Sequence, residues 1–252
     1  MHALIRPVSP AMARCELTHL ARSPIDVALA GEQHRRYCRA LASLGCRLLE
    51  LAAEPDLPDS VFVEDTAVVL EELAVITRPG AASRRPELTS AAAALAAHRT
   101  CVHIDAPGTL DGGDVLRVGR QLFVGQSSRS NADGIAQLAA AVAVHGYRVL
   151  PVQVRGCLHL KSAVTLVDPD TLLINDAWVD RATWAAMRCI AVAAAEPHAA
   201  NAVRVGDMVV HAASGPRTRE RLEAAGLQVL SVDVSEMEKA EGAVSCCSVI
   251  FA

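Results

Sequence analysis

Four times along this chain two short apolar strands meet at a tight turn, and the spacing of these pairs limits the fold more than any other feature. TAVVLEELAVIT, DVLRVGRQLFV, AVTLVDPDTLLI and NAVRVGDMVVHA begin near Val68, Val115, Val164 and Val203. The starts are roughly 40–50 residues apart, a period that marks repeat architectures. Between the pairs the apolar pattern changes to a helical period over Ile25–Leu44, Arg84–Ala97, Ser130–His145, Arg181–Ala195 and Thr218–Ala225. Pro86 and Pro216 suit first-turn positions, Ser130 with Asp133 resembles a capping box, and Gly45, Gly146 and Gly226 fall where helix ends need a left-handed residue. Short β-rich runs follow at Arg47–Leu51, Val102–Ile104, Arg148–Val152 and Leu227–Val232.

A fifth strand pair forms if the C-terminal SCCSVIF run lies beside the N-terminal ALIRPV run. The chain then reads as five ββαβ units around a pseudo-fivefold axis, a ring with few free sheet edges and its polar turns gathered about a central channel. An open doubly wound sheet is the competing architecture. It needs about one strand per helix, and the pattern here supplies two.

Composition narrows the function classes. With 252 residues, 52% of them apolar, the chain can bury a sizeable core without staples, and disorder is excluded. Twenty-four basic against 28 acidic residues give a net charge of −4, which favours neither nucleic acid nor an anionic membrane. No apolar stretch approaches the ~20 residues of a membrane span. Absent a secretory leader, the eight cysteines read as reduced thiols of a cytoplasmic protein. The expected organisation is a single domain over residues 1–252, as a monomer or homodimer.

Nucleotide-binding, serine-hydrolase and zinc-protease motifs are missing. Four polar segments interrupt the apolar pattern instead. In LPDSVFVEDTAVV, Asp59, Glu64 and Asp65 flank a strand-like VFV; such acids serve strand-end solubility or receive a planar cation such as a guanidinium. In GTLDGGDVL, Gly112 and Gly113 permit a tight turn or close backbone approach beside Asp111. GCLHLKSAVTL carries His159 in a β-rich run, as a core histidine or a catalytic one. GAVSCCSVIF carries Cys246 and Cys247, of which a strand would turn only one toward a central site. The Cys-x-His pairs Cys101/His103 and Cys157/His159 leave a structural zinc as a lesser alternative.

In this order, and with ITRPGAASRR, FVGQSSRSNADG and SEMEKAEGAVSCCSVIF, the segments resemble the dimethylarginine dimethylaminohydrolases, of the guanidino-modifying or pentein superfamily. The resemblance runs from about Leu17 to Phe251. It implies a five-bladed α/β propeller that hydrolyses Nω-methylated L-arginine to L-citrulline and a methylamine through a covalent cysteine adduct, with no metal or organic cofactor. It further implies Cys246 as nucleophile, His159 as general acid/base and Asp111 as the group that orients it. Asp59, Glu64 and Asp65 would hold the guanidinium, while Arg84, Arg129 and main-chain groups near Leu17 and Ala240 would hold the amino-acid end. Cys15–Arg22 is the expected lid. A hydrolase of another guanidine, arginine deiminase-like, and a non-catalytic cation-binding propeller are the alternatives.

Overall fold

The computed structural model describes residues 1–252 as five three-stranded sheets of one pattern. In each, an antiparallel pair is followed by a parallel third strand. The blade that joins the termini holds β1 (His2–Ile5) between β2 (Arg47–Glu50) and the final strand β15 (Val249–Phe251). His2 pairs with Phe251 and Leu4 with Val249, so the chain ends close the ring as the repeat requires. The second blade contains β3 (Ala67–Val69), β4 (Leu73–Ile76) and β5 (Thr100–His103). The third has β6 (Val115–Val118), β7 (Gln121–Gln126) and β8 (Arg148–Gln153). The fourth is β9 (Val164–Asp168), β10 (Thr171–Ile174) and β11 (Arg188–Ala191). The fifth is β12 (Ala202–Val205), β13 (Met208–Ala212) and β14 (Gln228–Val232). The first strands meet around the axis: β15 touches β3, and β9 touches both β6 and β12.

Helices α1 (Val27–Ser43), α2 (Leu88–Ala96) and α3 (Ala132–Ala143) make the crossovers of the first three blades. The short α4 (Leu160–Ala163) precedes the fourth blade, α5 (Pro216–Ala224) crosses the fifth, and α6 (Ser235–Glu238) follows it. Amphipathic spacing explains the packing. On α1, Tyr37 and Leu41 are fully buried against Ala3, Ile5 and Val210, each such side chain contributing ~1.5–3 kcal/mol. Pro216 opens α5, and Gly45, Gly146 and Gly226 take φ of 87°, 76° and 91° after α1, α3 and α5.

Three local expectations are corrected. Arg181–Ala195 is not a helix: a 3₁₀ turn over Arg181–Trp184 leads into β11, because pairing with β10 satisfies backbone groups that alanine-rich helical propensity alone would not. The cap of α3 is Asn131, whose side chain accepts from the Gly134 amide at 2.8 Å, and Ser130 is used elsewhere. Pro86 lies inside a 3₁₀ segment, Ala82–Glu87, that runs into α2. All eight cysteines are free thiols, and no helix is long and apolar enough to cross a membrane.

The closed ring has a direct consequence. The β1–β15 amides should exchange with deuterium as slowly as those of the buried β4, measured by mass spectrometry; a fast-exchanging C-terminal strand would mean that the termini do not close the ring.

Candidate active site

The loops at one end of the ring converge on His159. It is not in a strand: its backbone is extended (φ −134°, ψ 161°) and it caps α4. Its Nε2 lies 3.0 Å from Asp111 Oδ2, and its Nδ1 lies 3.8 Å from Asp65 Oδ1. The two glycines of GTLDGGDVL make this approach possible. A Cβ on Gly113 would come within 2.7 Å of both His159 Nδ1 and Asp65 Oδ1, and one on Gly112 within 2.0 Å of the Glu64 carbonyl oxygen. Only glycine fits there. Asp111 is fixed in turn by the Gly80 amide, which donates to its Oδ1 at 2.9 Å, while its own amide donates to Ser130 Oγ.

The acid segment also differs from its expected form. Val61–Phe62 form no strand, and Val63–Thr66 is a 3₁₀ turn that buries Asp65. Asp65 Oδ1 accepts from the Gly113 amide at 2.9 Å, and Oδ2 accepts from Arg84 Nη1 at 2.5 Å. Burial alone would favour the neutral acid, but the charges of His159 and Arg84 outweigh it and hold Asp65 at about 2. For His159, burial disfavours the charged ring; Asp65, the hydrogen bond to Asp111 and Asp114 overcome it and raise the imidazole to about 9. At neutral pH the ring is therefore protonated.

Cys246 and Cys247 lie in a turn ahead of β15, so strand alternation does not separate them. The separation arises from the turn itself. Cys246 lines the cavity shared with His159, whereas Cys247 is fully buried in the core and its thiol points to the Ala243 carbonyl oxygen at 3.5 Å. Burial pushes the Cys246 thiol up to about 12, and the Glu64 and Asp65 carboxylates add to the effect. The thiol and the imidazole line one cavity, with the thiol pushed toward its neutral form and the ring toward its charged one.

This cavity brings together Cys246, His159, Asp59, Asp65, Arg84 and Arg129, with Ala240 at its edge. Its free volume is about 20 Å³, close to the room one water needs. Larger cavities of about 590, 520 and 510 Å³ contain neither Cys246 nor His159. The Cys15–Arg22 segment is docked over the site, with Glu16 on the cavity wall. The Glu16 amide donates to both Asp59 oxygens at 3.1 and 3.3 Å, and Arg129 Nη2 donates to Thr18 Oγ1 at 3.1 Å. Leu17 is half-buried in that segment and lies beside the cavity rather than on its wall.

Two residues depart from their expected use. Glu64 turns its carboxylate away from the cavity: it accepts from Lys161 Nζ at 2.5 Å and Ser245 Oγ at 2.7 Å and lines the 590 Å³ channel. Its amide meanwhile donates to the Cys246 carbonyl oxygen at 3.1 Å, which braces the turn that carries Cys246. Arg84 is buried and mostly committed. Nε and Nη2 bond Glu87, Nη2 also donates to the carbonyl oxygens of Asp59 and Phe62, and Nη1 donates to Asp65. One Nη1 hydrogen remains. Arg129, by contrast, has no carboxylate within ion-pair distance.

Asp114, Lys161 and Glu87 are supporting residues that the sequence reading did not single out. Asp114 accepts from the Leu160 amide at 2.9 Å and from Ser127 and Ser130 at 2.6 Å, which fixes the start of α4 and so His159. Burial raises its pKa to about 6. Its place in the GGD turn, one residue past the paired glycines, was the available signal. Asp65, Asp111 and His159 also bring possible metal ligands within 4.8 Å of one another, and each Asp65 oxygen there accepts one hydrogen bond, from Arg84 or the Gly113 amide. Neither Cys-x-His pair gathers a third ligand.

The chain is similar to known proteins over nearly its whole length. A family model described as arginine deiminase matches residues 53–202. The chain is 43% identical to the N(G),N(G)-dimethylarginine dimethylaminohydrolase of Streptomyces coelicolor, over 98% of this chain and 95% of that one. It is 36% identical to the Pseudomonas aeruginosa protein of the same name, over 93% and 92%. The chain belongs to the dimethylarginine dimethylaminohydrolase family. Among solved structures, a cysteine-to-serine mutant of the Pseudomonas aeruginosa family member complexed with citrulline superposes with a TM-score of 0.95 at 33% identity, covering 99% of this chain and 98% of that one. A histidine-to-glycine variant of a family member, an adduct with S-methyl-L-thiocitrulline, gives 0.94 at 34% identity, covering 99% of each. The five-bladed ring read from the repeat, and the pentein propeller that the resemblance implied, are thus the fold shared with these structures.

The charged ring sets a pH dependence. Because the folded His159 pKa of about 9 lies above the ordinary 6.5, the stability it contributes is complete below pH 6.5 and lost as pH rises through 9. The Tm gap between the wild type and His159→Gln should be widest near pH 6 and shrink above pH 9 in thermal melts; a gap that widens with pH would contradict the protonated assignment.

Proposed function

We propose that this protein hydrolyses Nω-methylated and Nω,Nω-dimethylated L-arginine to L-citrulline and a methylamine, with Cys246 as nucleophile, His159 as general acid/base and Asp111 as the residue that orients it. The observation that carries this reading is the charge layout of the one cavity that contains both thiol and imidazole. Asp65 stands at the reacting end beside His159, and Asp59 stands with Arg129 and Glu16 under the lid segment. A molecule with a guanidinium at one end and an ammonium and carboxylate at the other matches that order.

The roles follow from the partners each group has left. Asp65 receives the guanidinium, and Arg129 takes the α-carboxylate with help from the remaining Arg84 hydrogen. Asp59, which faces the lid, suits the α-ammonium better than the guanidinium. Main-chain groups at Leu17 and Ala240 complete that end. Glu64 acts indirectly, through the Cys246 turn and its pair with Lys161.

Chemistry begins from a neutral thiol. Binding a cation beside Asp65 offsets the negative potential that keeps the thiol protonated, so the proton departs to solvent as substrate enters and the thiolate forms where it is needed. The sulfur attacks the guanidinium carbon, giving a neutral tetrahedral adduct. His159 keeps Nε2–H on Asp111 and has only a long contact at Nδ1, so Nδ1–H protonates the departing dimethylamine and leaves a cationic thiouronium. The now neutral Nδ1 takes a proton from water as the oxygen attacks the same carbon. Collapse expels the sulfur, which regains a proton from the new hydroxyl, and citrulline is released with His159 charged again. Every proton is accounted for by this chain, solvent and substrate.

A colorimetric citrulline assay on asymmetric dimethylarginine tests the reading. Cys246→Ser should lower kcat by at least about 10³-fold while Cys247→Ser retains most of it; equal losses would remove the nucleophile assignment. Arg129→Leu should raise KM about tenfold or more with a smaller effect on kcat, as expected for a contact remote from the reacting carbon. Ammonia release from arginine in place of dimethylamine release would instead favour a deiminase.

A further inference from the structure

We propose that Glu241 is a positioning residue for substrate binding, which fastens the lid segment to the turn at Ala240 so that both sides of the amino-acid end of the site are set at once. The inference rests on the substrate class proposed above and adds to it a residue outside the Cys-His-Asp set.

Three consecutive lid amides converge on one oxygen of this side chain. Thr18, His19 and Leu20 donate to Glu241 Oε1 at 2.9, 2.5 and 2.6 Å across more than two hundred residues of sequence. Hydrogen bonds from amides to a carboxylate are about twice as strong as neutral ones, and here they are the lid's densest attachment. The carboxylate reaches the lid because Glu241 takes φ 57°, the only non-glycine residue of the chain with positive φ. A long side chain is uncommon in that conformation and the strain is maintained by its surroundings. Gly242 follows with no room for a Cβ, which would lie 2.2 Å from the Phe62 ring. The turn is therefore rigid on its far side.

The second carboxylate oxygen supplies an independent observation. Glu241 Oε2 is buried and has no hydrogen-bond partner, although Glu241 lines the catalytic cavity next to Ala240. A buried anionic oxygen without a partner is costly to maintain unless something occupies it in use. A substrate ammonium entering between Ala240 and the lid supplies the opposite charge. Occupation and lid docking then reinforce each other, because both act on one carboxylate.

The cavity's small free volume shows why this matters for binding. An arginine derivative enters only after the lid has left, and the bonds from Thr18, His19 and Leu20 are what must break and re-form in each turnover. Removal of the carboxylate therefore acts on capture, and the chemistry at Cys246 is left in place.

Two kinds of measurement test this. Glu241→Ala should raise KM for asymmetric dimethylarginine about tenfold while kcat stays within about threefold. The same variant should show about tenfold faster iodoacetamide alkylation of Cys246 and faster tryptic cleavage after Arg14 and Arg22, both followed by mass spectrometry. Glu241→Gln, which retains an acceptor oxygen, should recover part of the slow alkylation. His19→Pro, which deletes one donor from the exposed lid without touching the strained turn, should reproduce faster cleavage. The proposal is overturned if both Glu241→Ala and His19→Pro leave alkylation and cleavage at wild-type rates, or if kcat falls while KM holds. Alkylation and cleavage need no turnover, so a wild type that releases no citrulline would refute the substrate assignment while the latch is still decided by these readouts.

Discussion

A protonated imidazole held between two buried carboxylates is the interaction on which this site depends. His159 makes no stable cation by itself at this depth; Asp111 on one nitrogen and Asp65 near the other keep it charged. Each carboxylate has further anchors, Gly80 for Asp111 and Gly113 with Arg84 for Asp65, so the ring inherits its position from three separate segments. Removing one member leaves an uncompensated charge in a low-dielectric site, which costs more than the lost contact. Structure and reactivity here share one set of charges.

The same balance explains why the thiol is idle until needed. Cys246 is buried among carboxylates, and a permanent thiolate there would have to be stabilised without a substrate present. Arg84 is neutralised by Glu87 and Asp65, and Lys161, paired with Glu64, offsets the effect of the carboxylates on the thiol only in part. In the proposed reaction a cation arriving beside Asp65 adds the positive charge, so that nucleophile activation and recognition of a guanidinium become one event.

Much of the ring was legible in the sequence, because strand pairs and helix punctuation are local signals repeated five times. Pairing of the termini was also readable, since four complete strand pairs leave one unpartnered run at each end of the sequence. What the local pattern lacked was long-range demand. Alanine-rich Arg181–Ala195 reads as helix, yet β10 required a neighbour, and the strand won. The residues near the site were found through motifs, but their division of labour was not. Arg84 and Glu64 look like free charges in sequence, and only the fold shows that Glu87 and Lys161 have claimed them. Asp114 stood in plain view within the GGD turn, but its function is to receive the Leu160 amide, a contact between segments 46 positions apart.

The joining of the two ends in one blade has a consequence for biogenesis. Strand β1 waits for nearly all the residues between His2 and Val249 before its antiparallel neighbour is made, the most distant pairing this topology contains. Cys246 lies just three residues ahead of that neighbour. A nascent polypeptide that lacks this segment thus has a binding groove under construction without the Cys246 sulfur, and the proposed nucleophile arrives together with the strand that closes the ring.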